Sequence, residues 1–466
     1  MPGGILAYLS EGKPSAVTTR RKLPGLARRL TSRIAQRVLR PRLAYADPLQ
    51  RLALLGVAAG AVTGVVVSLF RLAIDGAALV ALGGDSENFE ALPPELRAGL
   101  PLLGALVVGI ALTRLSEDRR RTGVAHVLQR LREHAGRLPA ANAVVQFFAG
   151  TAALAAGLSG GREGPAIHLG ATASSLLGQR LGVPPDSLRI LVACGAAAAI
   201  AGSFNTPMAG VVFAMEVVLL EYAAATFIPV GLAAVTATVI TRYFFGDMPV
   251  FEVGNIQMHS LLDVPFVVLA GFAIGTLGAA FTATVRLFTR MGRRPYWVRA
   301  LLAGAITAVA ALPAPAIMGV GYDTVDAALA GTLAWSALAV ILVAKMAASS
   351  ACVGLGMPVG VIGPTIVIGA ACGGLLGYLG QFLSPGEASS EGFYVLLGMA
   401  AMMAAALQAP LAALMAVVEL TSNANIILPA MLIVIVATLT AGRLFRQPSV
   451  FLATPAALRS RDEGPP

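Results

Sequence analysis

Apolar residues along this chain come in long runs. They fall at about 52–83, 97–115, 142–160, 164–181, 189–201, 207–221, 225–245, 261–289, 299–320, 334–349, 358–381, 393–407, 410–420 and 425–443. Runs of this kind are predicted to be the membrane helices, of unequal length, of a multi-spanning protein. Several runs fall short of the roughly 20 residues that cross a bilayer, and others are long enough to span it tilted. Short runs broken by Gly and Pro are tolerated at membrane depth only where the backbone is buried in protein or lines a water-filled cavity.

Composition supports this picture. Apolar residues make up 57% of the 466 and charged residues only 12%, against about 25% in a soluble protein, and mean hydropathy is +0.78. There are too few charges to cover several water-exposed domains, so an all-α polytopic membrane protein is expected. The 51 glycines and 28 prolines suit helices that pack closely and break often.

The net charge of +10 is concentrated at one end. Residues 1–46 carry Lys13, Arg20, Arg21, Lys22, Arg28, Arg29, Arg33, Arg37, Arg40 and Arg42 against the single acid Glu11; the rest of the chain has 24 basic and 23 acidic groups. This is the charge of a basic segment ahead of the first apolar run. The positive-inside rule places it in the cytoplasm, against anionic headgroups; nucleic-acid binding by this segment is the competing reading, and no nucleic-acid partner is expected. Met1–Ser10 lacks the pattern of a signal peptide. The transmembrane domain is expected over 47–455 and a short polar tail over 456–466, with no C-terminal cytoplasmic domain. The three cysteines and four histidines show no metal-like spacing, so no metal or other cofactor is expected.

The chain repeats itself. Gly164-Pro165-Ala166-Ile167-His168-Leu169-Gly170-Ala171 matches Gly363-Pro364-Thr365-Ile366-Val367-Ile368-Gly369-Ala370 at an offset of 199, with five of eight positions identical. Asn205-Thr206-Pro207-Met208-Ala209 resembles Gln408-Ala409-Pro410-Leu411-Ala412, and both Glu216/Glu419 and Gly195/Gly398 keep that second offset of 203. The halves are about 95–245 and 300–445. Such repeats are typical of transporters and channels with a site at the repeat interface; the pattern itself leaves open whether they are parallel or inverted.

The chemistry concentrates in Gly160-Gly161-Arg162-Glu163-Gly164-Pro165. Pro165 suits the first turn of a helix, and an intramembrane helix N-terminus offers N–H groups and partial positive charge to an anion. Glu163 has two readings. Its carboxylate could plug that anion site until an anion or a proton displaces it, or it could cap its own helix or pair with Arg162. No acid–base or nucleophile set accompanies it, so the chain is not expected to be an enzyme. Cation transport is disfavoured by the donor chemistry.

GGREGPAIHLG resembles the GREGP signature of the CLC family of chloride channels and proton-coupled chloride exchangers. Thr122-Gly123-Val124-Ala125-His126-Val127 is similar to that family's GSGIPEI, Gly360-Val361-Ile362-Gly363-Pro364 to its GxFAP, and PLAALMAVVELT (residues 410–421) to its proline-to-ELT helix. The resemblance runs over about 50–455. It implies a CLC-type fold of about 18 helices in two inverted repeats, a homodimer with one anion pathway per subunit, and a place in a bacterial inner membrane with chloride, other small anions and protons as partners. It makes Glu163 the outer gating glutamate. It places anion contacts at Thr122, Gly123, Val124, Arg162, Gly164, Val361, Ile362 and Phe451.

Departures from the family pattern carry further expectations. Thr122 replaces a serine but keeps a hydroxyl donor. Ile362 replaces a phenylalanine whose neighbouring backbone N–H is the contact. The family's second hydroxyl donor, a tyrosine, falls on Phe451, or on Val450 without a gap, and neither donates. The inner proton glutamate of coupled exchangers falls on Val217, and two further ionisable positions of that route fall on Leu128 and Gln146. Three neutral residues there suggest a lost proton route and a chloride channel; a chloride/proton antiporter with another route is the alternative. Glu216 and Glu419 are expected to brace helix ends, Arg71 and Asp75 to pair at i,i+4, Arg189 to mark a helix end, and His168, taken as a lone histidine, to pack or hydrogen-bond rather than move protons.

Overall fold

The computed structural model describes residues 47–82, 89–251, 253–254, 256–261, 263–384 and 388–454. The basic segment 1–46 and the tail 456–466 lie outside the described residues. Sixteen α-helices run through the described residues, rather than the expected 18 or so.

They form two sets of eight in the same order. The first is α1 (Pro48–Leu82), α2 (Pro94–Thr113), α3 (Gly123–Glu133), α4 (Ala140–Ala155), α5 (Glu163–Leu181), α6 (Pro185–Phe204), α7 (Pro207–Phe213) and α8 (Ala224–Phe245). The second is α9 (Asp263–Thr289), α10 (Tyr296–Ala311), α11 (Tyr322–Leu329), α12 (Trp335–Gly354), α13 (Ile362–Leu383), α14 (Glu391–Leu407), α15 (Pro410–Thr421) and α16 (Ile427–Leu439). Among the described residues, eight helical stretches are long and apolar enough to cross a membrane; the others are shorter or, like the 19-residue α5, less apolar. The apolar run 299–320 is not one element. α10 stops at Ala311, and Pro313 and Pro315, which cannot continue its hydrogen-bond ladder, lead into a short 3-10 turn over Pro315–Ile317.

The packing repeats as the sequence does. α5 lies on α6 at Gly170, where a Cβ would come within 2.5 Å of the Gly195 carbonyl oxygen, and α13 lies on α14 at Gly369, where a Cβ would collide with the Gly398 carbonyl oxygen. Backbone meets backbone at both places, the close approach that small residues permit between helices in lipid. α6 ends on Asn205 (φ +59°) and α14 on Gln408 (φ +54°). These left-handed residues turn the chain into Pro207 and Pro410, which open α7 and α15.

Two carboxylates tie the halves together reciprocally. Glu216, in the π-turn that continues α7, accepts the N–H groups of Leu411 (3.2 Å) and Ala412 (2.8 Å) at the start of α15. Glu419 on α15 accepts those of Met208 (3.0 Å) and Ala209 (2.7 Å) at the start of α7. Each glutamate thus satisfies orphan donors and the positive end of the other repeat's helix, the bracing role expected of both. The exchange is that of a pseudo-two-fold between the halves. Arg71 and Asp75 do pair on α1, at 3.9 Å. Arg189 sits near the start of α6, following Pro185.

Candidate functional site at the repeat interface

The two motifs meet head to head. Gly161 N–H donates to the Gly360 carbonyl (2.8 Å) and Gly360 N–H to the Gly161 carbonyl (2.7 Å), an antiparallel bridge between positions 199 apart. α5 and α13 therefore start beside each other in the interior. This irregular backbone is enclosed by protein, the condition for its existence at membrane depth.

Glu163 opens α5 and is fully buried. Its Oε1 accepts the Tyr322 hydroxyl at 2.6 Å and lies 3.9 Å from Arg162 Nε. Oε2 has no hydrogen-bond partner among the described residues. It lies over Gly161, where a Cβ would approach it to 2.5 Å, so any side chain at 161 would displace the carboxylate.

Cavities approach this carboxylate from both of its neighbours. One, of about 380 Å³, is lined by Thr122, Gly123, Val124, Gly164, Val361 and Phe451 together with Arg120, Arg121, Arg293, Arg294 and Arg299. The other, of about 600 Å³, is lined by Arg162, Tyr322, Arg71, Arg242, Asp75, Asp323 and Asp326 among others. Arg162 faces one cavity and Gly164 the other, while Glu163 between them lines neither. Beyond the membrane helices, burial and the Asp323 carboxylate raise Glu90 above the usual carboxylate range, with Arg97 opposing.

The anion positions expected from the sequence divide on this geometry. Thr122, Gly123, Val124, Gly164, Val361 and Phe451 share the arginine-rich cavity, and Arg162 faces the other. Ile362 is buried and lines neither. Of the alternative tyrosine replacements, Phe451 reaches the cavity, whereas Val450 is fully buried away from it. The Gly123 N–H donates to Gln146 Oε1 at 2.9 Å. Gln146, fully buried, also donates from Nε2 to the Pro358 carbonyl (3.0 Å), so it stitches the start of α3 to the second motif. Val217 and Leu128 are both buried.

His168 is not alone. His126 Nδ1 on α3 lies 3.0 Å from His168 Nε2 on α5, both rings buried. His126 stands 42 residues earlier, so spacing along the chain does not join them.

The family model described as "Voltage gated chloride channel" matches residues 104–442. The chain belongs to this family. Within it, the chain is 34% identical over 381 residues to a putative chloride channel protein ClcB-like from Ralstonia nicotianae, covering 80% of this chain and 88% of that protein. It is 30% identical over 308 residues to an H(+)/Cl(-) exchange transporter ClcA from Yersinia pestis bv. Antiqua, covering 64% of each. The fold matches the crystal structure of a slow cyanobacterial Cl-/H+ antiporter with a TM-score of 0.78 at 21% identity, over 90% of this chain and 99% of that one. A CLC-type fluoride/proton antiporter matches at 0.72 and 22%, over 87% and 98%. The CLC family consists of multi-pass membrane transport proteins rather than enzymes.

Two residues at this CLC site are missing from the positions that the motifs mark. Tyr322 is 159 positions from Glu163, at the edge of an apolar run, and no local pattern marks it. Lys345 has a usable signal, an ionisable residue inside an apolar segment. It is fully buried on α12, and its Nζ donates to the carbonyls of Ile317 (3.0 Å), Gly319 (3.1 Å) and Val320 (3.0 Å).

Proposed function

We propose that the protein is a chloride channel in which the Glu163 carboxylate closes the pathway between the two cavities. The observation that carries this is the placement of Glu163: fully buried at a helix N-terminus, with its two sequence neighbours facing opposite cavities. A carboxylate there occupies ground that suits an anion, where N–H groups and helix dipoles converge. The arginine-rich cavity concentrates anions on one side of the carboxylate, and the Thr122 hydroxyl supplies a donor in its wall. Support for uncoupled conduction comes from Val217, Leu128 and Gln146, none of which titrates.

A chloride/proton exchanger is the second reading, and the His126–His168 contact favours it: two titratable rings touch each other on the helices that begin at Thr122 and Glu163. Purified protein in liposomes under a chloride gradient, with and without a protonophore, decides between them. The channel reading expects chloride flux with no proton movement against its gradient. Uphill proton movement driven by chloride overturns it and establishes exchange.

A further inference from the structure

We propose that Tyr322 is a positioning residue for the gate: its phenol holds the Glu163 carboxylate in the closed place, and chloride passes only after that hydrogen bond breaks. The inference rests on the reading of Glu163 as the gate. The contact is short, 2.6 Å from the Tyr322 hydroxyl to Oε1, and a hydroxyl given to a carboxylate is the stronger, charge-assisted kind. The ring is held firmly. Phe251 meets it edge-on at 5.6 Å, Phe204 lies 6.2 Å away, and the Arg162 guanidinium stands 5.7 Å over its face.

The backbone that delivers Tyr322 is pinned as well. Lys345 gathers the carbonyls of Ile317, Gly319 and Val320, just before α11. Gly319 also bonds Gly157 and Gly160, on the approach to Glu163, through its N–H and its carbonyl. The pseudo-two-fold gives this arrangement a counterpart. Lys345 and Gln146 are 199 apart, the motif offset, and Gln146 braces the start of α3 as Lys345 braces the loop into α11. Thr122 precedes α3 and Tyr322 opens α11, so each half sets one hydroxyl at the start of its matched helix. Thr122 faces one cavity and Tyr322 the other. In this chain, the hydroxyl missing at Phe451 on one side of Glu163 is present on the other side, aimed at the gate itself.

The test is a double-mutant cycle on initial chloride efflux from liposomes at fixed pH, using wild type, Tyr322→Phe, Glu163→Gln and the double variant. Tyr322→Phe keeps the ring against Phe204 and Phe251, and should raise the efflux rate about tenfold, the factor carried by one modest hydrogen bond to an ionised group. It should also lower the chloride concentration giving half-maximal flux, because the carboxylate competes less well for its place. In the Glu163→Gln background the Tyr322→Phe step should have no further effect. An unchanged or slower Tyr322→Phe rate overturns the latch, as does an equal increase in both backgrounds. Glu163→Gln without effect on flux sinks the gate reading itself, whereas a Glu163→Gln effect without a Tyr322→Phe effect sinks the latch alone. If Tyr322→Phe is not recovered as a monodisperse protein, Tyr322→Leu removes the same hydroxyl and is read against the same outcomes.

Discussion

Thr122 has extended backbone (φ −138°, ψ 174°) at the entrance to α3, and it lines the arginine-rich cavity. A dehydrated anion needs donors in place of lost water, and a hydrogen bond to a charged group contributes about 1.5–3 kcal/mol. Phe451 donates nothing, and the Gly123 N–H is taken by Gln146. Thr122→Val should therefore weaken chloride binding about tenfold or more, at 1.4 kcal/mol per factor of ten, while Thr122→Ser should be nearly silent. Isothermal titration of the purified protein with chloride checks this; an unchanged affinity in Thr122→Val would mean that backbone groups alone build the site. Among single residues, Glu163 is legible in the sequence because its glycines, arginine and proline are contiguous. Tyr322 and His126 are not, because their partners lie 159 and 42 residues away and only the packing of α11 on the first motif, and of α3 on α5, joins them.

At the scale of elements, broken helices are the working parts. α5 and α13 begin inside the protein, α7 and α15 at its edge with Met208 and Leu411 exposed, and each start presents N–H groups that something must satisfy. Glu216 and Glu419 do this for α15 and α7, and their matched offsets make the bracing role legible in the sequence alone. Glu216→Ala and Glu419→Ala should each lower stability by about 1.5–3 kcal/mol, the scale of hydrogen bonds to a charged group, since each carboxylate accepts two N–H groups at the start of the other half's helix. A thermal melt followed with a thiol-reactive dye in a Cys372→Ser background measures this, since Cys194 and Cys352 are buried and react only as the fold opens. A melting temperature unchanged in both variants would remove the brace role. Helix boundaries are less legible: hydropathy runs 299–320 together, whereas the prolines at 313 and 315 divide it.

At the scale of the whole molecule, both cavities and the carboxylate between them are built from a single chain. A homodimer should therefore carry two independent pathways. Linked dimers with Glu163→Gln in one subunit should show the sum of one wild-type and one altered conductance in single-channel records, and one shared pore with a single altered conductance would refute this. The sequence by itself determined that the chain is helical and membrane-embedded, that it is a tandem repeat, and that Glu163 stands at an intramembrane helix start. Those properties are written in local composition, periodicity and short contiguous motifs. Only the tertiary structure decided that the halves meet head to head, that Gln146 and Lys345 brace matched turns, and that a tyrosine from one half holds the glutamate of the other. Such contacts join residues far apart in the chain through helix packing, and one-dimensional spacing carries no record of which faces will touch.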